Sequence, residues 1–162
     1  MANEKSKQSY VRFHTRVDEA LDRAVESTGL KRATLTAWIL STFIRRINEQ
    51  PERLEKALSS LRDAAADGEE RAPLTPEALG LSPAATLYEL KIGRTVAHAP
   101  RSIGRPILLT LSSEIDGQLR MLAELCGMSI NHFRSAVVAS FLIEQGVLVI
   151  RKNALKTIEM SG

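Results

Sequence analysis

The sequence predicts a mainly α protein in which one arrangement occurs twice: short strand, helix, glycine turn, helix. Three observations predict it. Gly29 and Gly127 each interrupt a stretch of apolar residues at helical spacing, and glycine tolerates the left-handed conformation in which helices commonly end. Each first helix is preceded by a run of strand character, residues 10–17 and residues 107–111. The chain is also apolar enough, at 44% hydrophobic residues with only 4% aromatic, to fill an aliphatic core between such helices.

The first unit spans residues 10–50. Residues 1–9 are polar and are expected to be a disordered N-terminus. From Tyr10 the chain alternates. Val11, Phe13, Thr15 and Val17 point one way and Arg12, His14 and Arg16 the other, which is the period of a strand with one buried face. Asp18 is the expected N-cap of a helix with the stripe Leu21, Ala24, Val25 and Thr28, ended by Gly29. Leu35, Trp38, Ile39, Thr42, Phe43 and Ile47 continue as a longer helix, with Trp38 as a core anchor.

Residues 51–104 form a connector. Pro51 suits a first helical position, and Leu54, Ala57, Leu58 and Leu61 form a stripe that fades over residues 64–68. A charged linker follows at 69–73. Thr75-Pro76-Glu77 and Ser82-Pro83 read as starts of short helices, and residues 91–104 read as irregular. Leu74, Leu79, Leu81, Leu87, Tyr88 and Leu90 are too many apolar groups for a free linker, so docking is expected.

The second unit spans residues 105–150. A β-branched and apolar strand at 107–111 leads to Ser112 or Ser113 as an N-cap. Ile115, Leu119, Leu122, Ala123 and Cys126 make one stripe, and Ser129 opens a helix with Phe133, Val137 and Phe141 inward. Residues 147–150 read as a small strand or docked tail, and 151–162 as a frayed C-terminal tail. Val17 stands about one helical turn nearer to Gly29 than Leu111 does to Gly127, so the first unit's first helix is expected to be one turn shorter. A lone strand leaves its backbone unpaired, so each strand needs a partner.

Composition bounds the function. With 162 residues there is room for one compact domain or two small ones. A net charge of +3 and a pI near 9.2 permit nucleic-acid binding without demanding it. The single cysteine excludes an internal disulfide framework and fits a reducing cytoplasm, where the protein is expected. The N-terminus lacks the apolar core of a signal peptide, and Glu144 and Gln145 break the last long apolar run, so no membrane association is expected. No catalytic constellation, P-loop or dinucleotide fingerprint is present, and His14, His98 and His132 are not at metal-ligand spacings. The chain reads as a non-enzyme with no cofactor and no metal, and Cys126 reads as core.

Thr110-Leu111-Ser112, Leu119, Ala123 and Gly127-Met128-Ser129 with Asn131 resemble, in joint spacing, the ribbon-helix-helix family, the Arc- and Met-repressor type of DNA-binding protein. The resemblance implies two ribbon-helix-helix units in one chain, forming a pseudo-dimer through a two-stranded antiparallel β-ribbon that enters the major groove of double-stranded DNA. The architecture also resembles the tandem accessory proteins of plasmid conjugation and T-DNA transfer. A relaxase or another DNA-processing protein is then an implied partner, and a monomer is favoured over an obligate homodimer. A transcriptional repressor or plasmid-maintenance regulator is the alternative role, and a helical protein-interaction module without DNA binding is the alternative class.

On this reading Arg12, His14, Arg16 and Thr110 are the candidate base contacts, since arginine donates two hydrogen bonds to guanine O6 and N7. The competing reading is a strand face kept polar for solubility. The second strand's equivalent face, Pro106, Leu108 and Thr110, is poor in hydrogen-bonding groups, so readout is expected to be asymmetric. Lys31, Arg32, Ser129 and Asn131, at the starts of the second helices, are the candidate phosphate contacts, because a helix N-terminus offers free amides and a favourable dipole. Their competing reading is ordinary caps and solvated charges.

Overall fold

The computed structural model describes residues 6–68, 74–82 and 104–148. In chain order these form β1 (Ser6–Val11), α1 (Thr15–Thr28), α2 (Arg32–Glu49), α3 (Pro51–Ala66), a 3-10 turn (Pro76–Leu79), β2 (Ile107–Ser112), α4 (Ser113–Leu125) and α5 (Ile130–Glu144). β1 and β2 pair antiparallel, with Gln8 opposite Thr110, Tyr10 opposite Leu108 and Val11 opposite Ile107.

The pairing follows from the two sequences. β2 alternates cleanly: Ile107, Leu109 and Leu111 are buried while Leu108 and Thr110 are exposed. β1 has only Val11 fully inside, so its order comes from main-chain bonds to β2 rather than from its own apolar residues. The inner face of the ribbon packs against α2 and α4, and Phe13, Val17, Leu21, Leu119, Phe133 and Val137, all nearly inaccessible, belong to the same core. α5 is the central helix: Phe133 to Ser140 are buried without a break, the pattern of a helix covered on every side. The connector supplies part of that cover. Leu74, Leu79 and Leu81 are buried, Leu74 N–H donates to the Leu125 carbonyl at 2.7 Å, and Ser82 N–H donates to Ser140 Oγ at 2.9 Å.

Several expectations are corrected here. Two ribbon-helix-helix units were expected, forming a pseudo-dimer. The described residues hold one two-stranded sheet, to which each strand–helix–helix segment gives a single strand, and a second ribbon unit is not present among them. One apolar core joins both segments with α3 and the 3-10 turn, so the described residues form a five-helix body carrying one ribbon. The mainly α class and the antiparallel pairing stand. The first strand is Ser6–Val11 rather than residues 10–17, so residues 6–9 belong to β1 and not to a disordered terminus. The helix begins at Thr15 with His14 as its N-cap, and Asp18 sits in the first turn. The misreading has a physical source. Val17 is buried because it is the first inward residue of α1, and over three residues a helical inward position can fall in step with a strand's alternation.

The expected missing turn is absent as well: α1 has 14 residues and α4 has 13. Trp38, expected in the core, is 47% exposed and meets Phe141 edge-on. Val147 and Leu148 form no strand; Leu148 is buried and the Val147 carbonyl accepts from Arg23. The expectations for residues 1–5, 69–73, 83–103 and 149–162 lie outside the described residues.

Candidate nucleic-acid interface

The ribbon presents one face to the core and the other to solvent. Ser6, Gln8 and Tyr10 of β1 share the outer face with Leu108, Thr110 and Ser112 of β2, because residues directly opposite in an antiparallel ladder point the same way. Tyr10 is 69% exposed and Leu108 44%, both large and apolar, so the middle of this face is a solvent-facing apolar pair. Beyond Val11 the alternation persists for two residues, with Arg12 exposed and Phe13 buried, so Arg12 extends the outer row.

Arg12 is held from the opposite segment. The Asn131 side chain accepts from Arg12 N–H through Oδ1 and donates to the Arg12 carbonyl through Nδ2, both at 3.1 Å. This two-point clip fixes the backbone where β1 leaves the ribbon and ties it to the N-terminus of α5. The expected base row of Arg12, His14 and Arg16 therefore does not lie on one strand face. Arg12 continues the row, His14 caps α1 and Arg16 lies in its first turn. His14 Nδ1 accepts from Arg16 N–H at 3.1 Å, which requires the unprotonated nitrogen. Burial holds the His14 pKa below its ordinary value, with Arg16 adding to the depression and Glu19 opposing it. Thr110 stands exposed on β2 opposite Gln8. Sequence reasoning missed Gln8 and Tyr10 because residues 6–9 carry no apolar alternation of their own; the apolar alternation of β2 was the available signal for how far its partner extends.

The four candidate phosphate residues divide into two chemistries. Ser129 is the N-cap of α5, and its Oγ accepts from His132 N–H at 3.1 Å. Asn131 is committed to the Arg12 backbone. Lys31 is the N-cap of α2, is exposed, and makes no side-chain cap bond, so its ammonium faces solvent beside the open amides of that helix start. Arg32 is engaged within the protein. Its guanidinium pairs with Asp18 and, at 3.2 Å, with Asp22, so it fastens α2 to α1. Burial and then the nearby charge of Arg105 hold the Arg32 pKa below its ordinary value, which places Arg105 close to this corner. Lys7, Arg12, Lys31 and Arg105 are exposed; Lys7 lies in β1, Arg12 directly follows it, and Arg105 stands two residues before β2.

The second segment anchors its own first helix with a buried pair. Asp116 and Arg134 are each 2% exposed and bond at 2.8 Å, and Arg120 Nε reaches the other oxygen of Asp116 at 2.8 Å. Cys126 is buried, and burial followed by Glu77 pushes its thiol pKa up to about 11, far from a reactive thiolate. Among the described residues no three His, Cys, Asp or Glu side chains gather to hold a metal ion, and no helix is long and apolar enough to cross a membrane. A cleft of about 350 Å³, lined by Ile39, Phe43, Val137 and Phe141, opens between the C-terminal halves of α2 and α5, away from the helix starts. Compared with protein-family models, curated proteins and solved structures, the chain gives no match.

Proposed function

We propose that this protein binds double-stranded DNA sequence-specifically, with the outer face of the β1–β2 ribbon in the major groove. The observation that carries the reading is the outer face itself. Gln8, Tyr10, Leu108 and Thr110 are exposed on the ribbon, while Val11, Ile107, Leu109 and Leu111 of its other face are buried in the core. A two-stranded ribbon fits the major groove, roughly 12 Å wide, and an exposed apolar pair among polar groups can meet thymine methyls there. Exposed Arg12 and Arg105, which flank the strands in sequence, and exposed Lys31 at the start of α2 suit the phosphates on either side of a groove. The resemblance to accessory proteins of plasmid and T-DNA transfer extends this proposal to a DNA-processing role beside a relaxase, with the protein acting as a monomer.

Fluorescence anisotropy with labelled duplexes across a salt series tests the reading. A groove binder that neutralises phosphates loses affinity with a log–log slope of about −0.9 per phosphate. Lys31→Ala should weaken binding to all sequences alike and lower that slope by about 1. Absent or salt-independent association of the wild-type chain with duplex DNA would contradict the proposal.

A further inference from the structure

We propose that the ribbon selects a non-palindromic site, with an A·T step at its centre, an adenine on the Gln8 side and a guanine on the Arg12 side, and so binds DNA in one orientation. The inference rests on the DNA-binding reading above and deepens it. Its basis is the register. Along the outer face, Gln8 stands across from Thr110 and Tyr10 across from Leu108. One step further along the two chains come Arg12 and Pro106, both exposed. The row therefore has three stations of different chemistry.

At the middle station Leu108 has no hydrogen-bonding group, and Tyr10 stands across from it. In the major groove the apolar feature such a pair can meet is the thymine C5-methyl. At the first station the Gln8 amide can pair in bidentate fashion with adenine N6 and N7, and Thr110 can bond to either partner base. At the third station Arg12 can pair with guanine O6 and N7, whereas Pro106 offers no donor. The Asn131 clip on the Arg12 backbone removes freedom that the arginine would otherwise lose on binding. The two-fold rotation that relates paired antiparallel strands would exchange Gln8 with Pro106 and Arg12 with Thr110, and neither pair is chemically alike, so the two halves of a palindromic site could not be read alike. The same duplex turned end for end would set the arginine against adenine and the glutamine against guanine.

Selection from a random duplex pool with the full chain tests this. The expected motif is asymmetric, with guanine and adenine on opposite sides of an A·T step. Arg12→Ala should lose discrimination at the guanine by roughly 5- to 150-fold while leaving the adenine preference in place. Replacing the central thymines by deoxyuridine removes only methyl groups and should weaken binding about fourfold for each methyl buried. That difference should vanish in the Tyr10→Ala/Leu108→Ala variant, whose changed side chains are exposed and whose fold circular dichroism can verify. A palindromic motif, a G·C centre or indifference to the methyl groups would overturn this inference while salt-dependent binding kept the DNA reading intact. Loss of all salt-dependent duplex binding by the wild-type chain would overturn both.

Discussion

At the scale of single residues, the buried ion pair and the Asn131 clip decide most. Burial alone would raise the Asp116 carboxyl, but hydrogen bonds and charge from Arg120, together with the charge and hydrogen bond of Arg134, outweigh it and hold its pKa below the ordinary value. A carboxyl with a depressed folded-state pKa stabilises the fold above its unfolded pKa of about 3.9, and that stability is lost as pH falls through the folded value. Arg134→Met should therefore cost about 3–5 kcal/mol near neutral pH, where it strands a buried carboxylate that only Arg120 still contacts. The cost should shrink as pH falls and the buried carboxylate takes up a proton. Urea unfolding of both proteins across pH measures this directly; a cost independent of pH would mean Asp116 is not the partner that matters. Asn131→Ala removes two hydrogen bonds at an exposed site and should cost roughly 1–2 kcal/mol in the same assay. Neither partnership was legible beforehand, because Asp116, Arg134, Asn131 and Arg12 are brought together by tertiary packing and not by any local spacing.

At the scale of elements, the junction of β1 and α1 carries a testable switch. The cap on α1 needs an unprotonated His14 nitrogen, and the depressed folded-state pKa says that the fold favours that form. Stability from the cap is then complete above the ordinary histidine pKa of about 6.5 and is lost as pH falls from there through the folded value. His14→Ser should keep a cap and remove this slope, while His14→Ala should cost about 0.5–2 kcal/mol at neutral pH. Thermal melts from pH 5 to 8 distinguish the two, and an unchanged slope in His14→Ser would show that another group titrates. The helices were readable in sequence because their apolar stripes and turn glycines are local signals, with Gly29 and Gly127 at φ of 72° and 66°. The first strand was not, because β1 has one fully buried residue and borrows its order from β2. That displacement moved the candidate reading row from Arg12, His14 and Arg16 to Gln8, Tyr10 and Arg12.

At the scale of the whole molecule, the two strands of the ribbon come from one chain and, among the described residues, share one core with five helices. Nothing in this arrangement requires a second copy, so sedimentation at micromolar concentration should give a mass near 17.8 kDa. A concentration-independent dimer would mean that the strands exchange between chains. Phe13, between β1 and α1, has no exposed surface, and Phe13→Ala should lower stability by about 3–5 kcal/mol through the cavity it leaves.

The central claim, that the outer face of the ribbon meets DNA, is tested most directly by following backbone amide resonances of the labelled protein as a duplex is added. The largest shifts are expected at residues 8–12 and 108–110, with smaller ones at the starts of α2 and α5 around Lys31 and Ser129. Shifts that leave both strands untouched and gather instead around the cleft lined by Ile39, Phe43, Val137 and Phe141 would contradict it.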